Sequence, residues 1–375
     1  MSAETVTGTD VVTFHEIDTA DELRFGVATL NAPSTLNALS LDMIRLLGPQ
    51  LHAWAADERV VGVVLQATGE KAFCAGGDLQ DLYASMKKYG SDTNPYALTF
   101  FAEEYALDHL IHTYPKPFLC WGHGIVMGGG MGLMTGASHR VVTPATRMAM
   151  PEITVGLFPD VGGTWFLPRM PGRTGRFLAL TGVPLNCADA LYCGLADHLL
   201  PNEARTAVFD AIAAASWHGD AKKDRAQLTH LLQAHAIVEI PASNVQQHQS
   251  ALDELMAGDD LLAIAARLRE VDDSDPWLQK AAAAFKHGSP TSAALAFELQ
   301  GRATGLSLAE IFRMEFDVAA GCAAHADFAE GIRALIIDKD RQPKWSPATL
   351  EEVTPEHIAD HFKPRYQGAH PLAAL

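Results

Sequence analysis

The run Val60-Val-Gly-Val-Val-Leu65 has no polar face. A half-exposed strand alternates apolar and polar residues. A strand covered on both sides reads instead as an unbroken β-branched run, as in parallel sheets. A chain holding such a segment needs helices on both faces of its sheet, which specifies an α/β architecture. The neighbouring pattern agrees. Residues 11–30 read as two short strands, the second being Arg24–Leu30. Asn31-Ala-Pro-Ser34 reads as a turn, and Ser40 is placed to cap a helix with an apolar stripe at Leu41, Ile44, Leu47, Leu51 and Trp54. Asp78 opens another helical stretch, and a further helix is expected over Phe100–His112. Phe118–Trp121, His139–Thr143 and Arg147–Met150 read as short strands, with a helix near Gly130–Gly136.

From about residue 203 the strand signals stop. Alanine- and leucine-rich segments such as Leu261–Leu268 and Ser292–Leu299 are helical in pattern. The reading is therefore an α/β core over 11–203, carrying the ligand site, and a mostly helical region over 204–375 that completes the fold. The polar stretches Ser243–Ser250 and Asp272–Asp275 read as loops within it.

Two glycine-rich stretches narrow the chemistry: Lys71-Ala-Phe-Cys-Ala-Gly-Gly-Asp78 and Gly122-His-Gly-Ile-Val-Met-Gly-Gly-Gly-Met-Gly132. Glycine lets a ligand reach a backbone N–H with no Cβ in the way. Two such N–H groups converging on one oxygen form an oxyanion hole, which stabilises charge developing on a carbonyl. No register supplies GxGxxG or GxxxxGK[ST], so neither nucleotide loop is present. The carboxylate-bearing segment Pro151-Glu-Ile-Thr-Val-Gly-Leu-Phe-Pro-Asp160 follows, and the order suggests an enzyme that handles acyl groups. On residues alone, Glu152 is also the kind of first-turn acid a helix dipole favours, and Asp160 the kind of residue that makes an Asx-turn. His123, lying between glycines, reads as a packing residue. No HExxH, GxSxG or Cys–His pattern occurs, and no metal is expected.

These stretches resemble the three signature regions of the crotonase (enoyl-CoA hydratase/isomerase) superfamily. Within it, the Pro151–Gly163 segment, Phe100-Phe-Ala-Glu-Glu-Tyr105 and the tail Asp327–Trp345 are similar to those of 3-hydroxyisobutyryl-CoA hydrolases. The likeness covers roughly residues 11–363 and implies a spiral of ββα units followed by a helical C-terminal region. It implies an acyl-CoA thioester held between the two glycine motifs, with Gly77 and Gly129 as oxyanion donors. CoA is then part of the substrate, and no separate cofactor is expected. Glu152 and Asp160 match the catalytic carboxylates of the hydrolases, Glu152 attacking the thioester or activating water and Asp160 assisting. Glu104 matches a substrate-contact position. Its neighbour Glu103 lies about 100° away around the helix, so one of the two faces a ligand. Lys71 and the backbone near Ala75 match contacts to the nucleotide end. The first of the two glutamates used by hydratases falls at Gly132, which has no side chain. The turn Asn31-Ala-Pro33 lacks the basic residue that many relatives place there.

The implied function is hydrolysis of 3-hydroxyisobutyryl-CoA or a similar short 3-hydroxyacyl-CoA, as in valine breakdown. An enoyl-CoA isomerase or hydratase, or a non-catalytic acyl-CoA-binding protein, stands as the alternative. A net charge of −17 argues against nucleic acid and anionic membranes as partners. The five cysteines have no CxxC or metal spacing, and the first residues carry neither a signal nor a basic transit pattern. Both point to the cytoplasm. The resemblance also implies a homo-oligomer.

Overall fold

The computed structural model describes residues 10–271 and 274–375. The described residues cluster into two compact units, each assembled from three segments: 10–77, 110–148 and 186–241 in the first, 78–109, 149–185 and the described part of 242–375 in the second. The chain crosses between them repeatedly, whereas the sequence reading placed one boundary at 203/204. Strand content does end near that point: beyond Leu199 every described regular element is helical.

The first unit is built on a six-stranded sheet. β1 (Val12–Asp18) pairs antiparallel with β2 (Arg24–Leu30), and every later step, through β3 (Val60–Ala67), is parallel. Residues 60–65 of β3 are all buried, as an unbroken apolar run requires. Between β2 and β3 runs α1 (Leu41–Ala56). The Ser40 side chain accepts the Met43 N–H at its start, and Ile44, Leu47, Leu51 and Trp54 form its buried stripe together with Met43. Leu41 stays partly exposed, so the buried stripe starts at Met43.

β4 (Ala72–Cys74), β6 (Ile125–Met127) and β8 (Arg147–Ala149) form a separate three-stranded sheet, while β5 (Phe118–Gly122), β7 (His139–Val142) and β9 (His198–Leu199) continue the large one. In the second unit lie α2 (Leu79–Tyr89) and most of α3 (Pro95–His112). Asp78 caps α2 by accepting the Gln80 N–H at 3.1 Å. α3 buries residues on several faces, so even its polar positions can be enclosed.

Helix covers Ser243–Ser250, where a loop was expected. The Ser243 hydroxyl caps helix Asn244–Leu255, whose Val245 and Leu252 are buried. The polar residues between them are the solvated side of an amphipathic helix, which a short polar window cannot distinguish from a loop. In the second polar stretch Asp275 caps helix Pro276–His287, while residues 272–273 lie outside the described residues.

Candidate active site

The two glycine motifs meet as paired strands. β4 comes from the first and β6 from the second, and they run parallel with Ala72 opposite Ile125 and Cys74 opposite Val126. The Phe73 N–H donates to the His123 carbonyl at 2.8 Å, and the Ile125 N–H donates to Lys71 at 3.0 Å. Beyond β6 the chain turns at Gly128 (φ 49°) into α4 (Gly129–Thr135), buried along its whole length. Gly130 packs so tightly on β4 that a Cβ there would stand 2.4 Å from the Cys74 carbonyl oxygen. The glycine is required by close approach.

Gly129 is the first residue of α4, and a helix has no internal acceptor for its first N–H groups. On the other motif, the Leu39 N–H donates to the Gly76 carbonyl at 2.8 Å, fixing the backbone just before the half-buried Gly77. The Ala75 N–H is already committed to Leu36 at 3.1 Å, which leaves its carbonyl as the group able to meet a ligand. Lys71 is exposed. His123 is buried, with Nε2 against the Gly69 carbonyl at 2.8 Å, consistent with packing.

The second unit gathers carboxyl groups. Glu104, Tyr105 and Asp108 lie on α3, Glu152 on a three-residue 3₁₀ turn (Glu152–Thr154), and Asp160 just before α5 (Gly163–Phe166). Glu315 comes from a long C-terminal helix, Leu308–Ala324. All are at most 5 % exposed. Tyr105 donates its hydroxyl to Asp160 Oδ2 at 2.6 Å. Glu152 keeps one carboxyl oxygen, Oε2, without a hydrogen-bond partner, and Asp108 keeps both of its oxygens so. Glu104 is enclosed while Glu103 is half-exposed, so Glu104 is the inward member of the pair.

Crowding acids in a dry interior raises their proton affinity twice over, by desolvation and by mutual repulsion. Burial, then the charge of Asp160, lift Glu152 and Glu104 well above the usual carboxylate range. Asp108 is lifted by burial, then by Glu104, Asp160 and Glu315. Burial pushes Asp160 up to about 7, against the pull of the Tyr105 hydrogen bond. Glu315 rises to about 8 for the same first reason, although it accepts backbone N–H groups. Such a cluster holds and passes protons near neutral pH. A three-residue turn aligns few peptide dipoles, so dipole stabilisation accounts poorly for a buried glutamate at position 152.

The helical tail braces the Glu152 turn. A Cβ on Gly156 would stand 2.2 Å from the Asp327 carbonyl oxygen, and one on Gly331 2.3 Å from the Val155 carbonyl carbon. The Ser289 N–H donates to the Ile153 carbonyl at 2.9 Å.

Residues 25–362 match the model of the enoyl-CoA hydratase/isomerase family. The chain belongs to that family. Among enoyl-CoA hydratase/isomerase relatives, the mitochondrial 3-hydroxyisobutyryl-CoA hydrolase of Danio rerio is 39% identical over 339 residues. The protein of the same name from Gallus gallus is 38% identical over 341 residues, and each alignment covers 90% of this chain and 86% of the relative. A crystal structure of a carnitinyl-CoA dehydratase from Mycobacterium thermoresistibile is 37% identical with a TM-score of 0.84, covering 95% of this chain and 97% of its own. The crotonase fold expected from the motifs is thus the fold of the chain, C-terminal region included.

The cytoplasmic location is overturned by these hydrolase relatives, which are mitochondrial. The cysteine argument failed for a physical reason. All five thiols are buried, so burial protects them and they report no compartment.

Of the sequence-derived candidates, the structure brings Glu104, Glu152 and Asp160 into one acidic cluster and joins the motifs bearing Gly77 and Gly129 through one small sheet. Tyr105, Asp108 and Glu315 were not singled out. Asp108 was findable, since it lies one helical turn beyond Glu104. Glu315 carries no local signal, its partners Gly162 and Thr164 being far away in sequence.

Proposed function

We propose that the protein hydrolyses the thioester of 3-hydroxyisobutyryl-CoA or a similar short 3-hydroxyacyl-CoA, releasing the free acid and CoA. The observation that carries this reading is the buried Glu152, with one unpartnered oxygen, in an acidic cluster that includes Asp160. The hydrolase names of the relatives, at up to 39% identity over nine-tenths of the chain, support the same substrate class.

The roles follow from what each group can donate or accept. Ionised Glu152 takes a proton from water, whose oxygen bonds to the thioester carbonyl carbon as the carbonyl electrons move onto oxygen; where Glu152 attacks directly instead, the acyl–Glu152 anhydride left after C–S cleavage is opened by water, which releases the acid and restores the carboxylate. The N–H groups of Gly77 and Gly129 take up that developing charge. As the tetrahedral intermediate collapses, the C–S bond breaks and the CoA thiolate leaves, taking a proton from Asp160. With a value near 7, Asp160 is part-protonated at neutral pH and can supply it. Glu104 accepts the 3-hydroxyl of the acyl group, while Lys71 and the Ala75 carbonyl serve the nucleotide end.

The solved relative named as a carnitinyl-CoA dehydratase favours a second reading, hydration or dehydration of the acyl chain. Against it, Gly132 stands where hydratases carry the first of their two glutamates. One experiment separates the two. Purified protein is given 3-hydroxyisobutyryl-CoA with a thiol reagent, and crotonyl-CoA in a parallel cell whose product is identified by mass. Thiol release with negligible water addition supports the hydrolase. Hydration at about 10 s⁻¹ or faster without thiol release establishes the other reading.

A further inference from the structure

The backbone after Asp160 is strained. Val161 has φ 51° and Gly162 φ 86°, so two successive residues are left-handed. Glycine takes that conformation freely, but a β-branched residue does so only when its surroundings impose it. The constraint comes from Glu315, which is fully buried. Its Oε2 accepts the Gly162 N–H at 2.8 Å, and its Oε1 accepts the Thr164 N–H at 2.8 Å. One carboxylate therefore straddles the start of α5. On the other side of the strained residue, the Asp160 carbonyl accepts the Gly163 N–H at 2.7 Å, and its carboxylate accepts from Tyr105.

We propose that Glu315 is a positioning residue: by bridging the Gly162 and Thr164 N–H groups it holds the left-handed Val161–Gly162 turn that aims the Asp160 carboxylate. It touches no reacting atom and acts through the backbone. The inference rests on the catalytic role given to Asp160 above. Without Glu315 the turn relaxes toward ordinary dihedrals, and Asp160 swings from the Tyr105 hydroxyl toward water. The titratable groups facing Asp160 are Tyr105, Glu104 and Asp108 on α3, Glu152 on its turn, and Glu315 itself with Cys322 on the helix Leu308–Ala324. Escape from this enclosure takes Asp160 back down from about 7 toward the ordinary aspartate value.

The test is Glu315→Gln, which preserves shape but turns one acceptor into a donor facing an N–H. Amide hydrogen exchange is measured at Gly162 and Thr164, alongside thiol release across pH. The expected result is exchange at those two amides faster by about 10-fold or more. With it come a kcat about 10-fold lower, a nearly unchanged KM and the limb set by Asp160, where activity falls with rising pH, moved to lower pH. If Glu315→Gln does not fold, Glu315→Asp carries the same measurements, because its shorter side chain cannot span both N–H groups. Wild-type exchange at both amides, or a wild-type kcat and pH profile despite a lowered Tm, overturns the proposal. The exchange arm needs no turnover, so an absence of thiol release from the wild type would sink the functional reading and leave the backbone claim separately decided.

Discussion

The backbone cradle around Gly77 and Gly129 and the acidic cluster around Glu152 and Asp160 are built on opposite principles. The cradle proposed for the thioester oxygen draws on main-chain N–H groups of two short motifs that pair directly as strands. Its enabling residues are glycines, and what they contribute is the absence of a side chain. The acidic cluster uses side chains alone, drawn from α3, two turns and a C-terminal helix, and its chemistry depends on burial shifting proton affinities. A cradle of neutral donors is indifferent to pH and sensitive to tenths of an ångström. A cluster of buried acids tolerates small movements but is governed by pH. It also costs stability. An aspartate held near 7 in place of 3.8 forgoes about 4 kcal/mol of folding free energy once the pH exceeds its folded value.

The sharpest break between the two is expected from Glu152→Gln. It removes the proposed attacking group without touching the glycine motifs, so kcat should fall by about 10²-fold or more with little change in KM. Near-normal turnover in a thiol-release assay would return Glu152 to a structural role. Gly130→Ala strikes the other half. Its Cβ would collide with the Cys74 carbonyl, so β4 must shift and the two motifs separate. A loss of about 10²-fold in kcat is expected, with the shape of the pH profile retained. A changed pH profile in that variant would show that the two regions are not separable in this way.

Asp160→Asn gives a smaller effect, about 10-fold in kcat, and changes the pH profile. In the wild type activity should fall as pH rises through about 7, as Asp160 loses the proton it is proposed to give the leaving thiolate. The variant should lose that limb or move it. A wild-type limb near 4.5, the ordinary glutamate value, would mean the cluster is not proton-loaded at neutrality. Asp108→Asn should affect catalysis least and stability most informatively. Asp108 has a raised folded value, so it imposes no penalty at low pH and an increasing one as pH climbs above the unfolded value near 4. The Tm difference between variant and wild type should therefore widen in the variant's favour from pH 4 to pH 8 in thermal melts. A constant difference would show that Asp108 titrates normally.

How much was legible follows the same division. The glycine motifs that pair as strands were readable because their residues lie within two short segments and no other residue replaces a glycine against a backbone carbonyl. Val60–Leu65 fixed the parallel sheet for a similar reason, a contiguous run with one physical meaning. In the acidic cluster, Glu104, Glu152 and Asp160 were found through family likeness, since a lone carboxylate in a chain has many ordinary uses. Tyr105 and Asp108 needed the knowledge that α3 is enclosed on several faces. Glu315 was out of reach, because its importance depends on a left-handed valine that no sequence pattern announces. The loop expected at Ser243–Ser250 failed because solvation of a helix face and solvation of a loop draw on the same residue types.

The close approach of Gly156 and Gly331 to segments on each other's side has a consequence for how the molecule is made. Ribosomes deliver Glu152 and Asp160 long before the stretch from Ser289 to Gly331 that clasps the turn bearing Glu152. A nascent chain halted before Glu315 would carry both proposed catalytic carboxylates and both glycine motifs, yet lack the Glu315 bridge and the Asp327 and Gly331 contacts that hold the turns bearing those carboxylates. A premature stop codon just before Glu315 is then as damaging as one before Glu152. A protease that trims the tail would silence the enzyme while leaving its chemistry-bearing residues untouched.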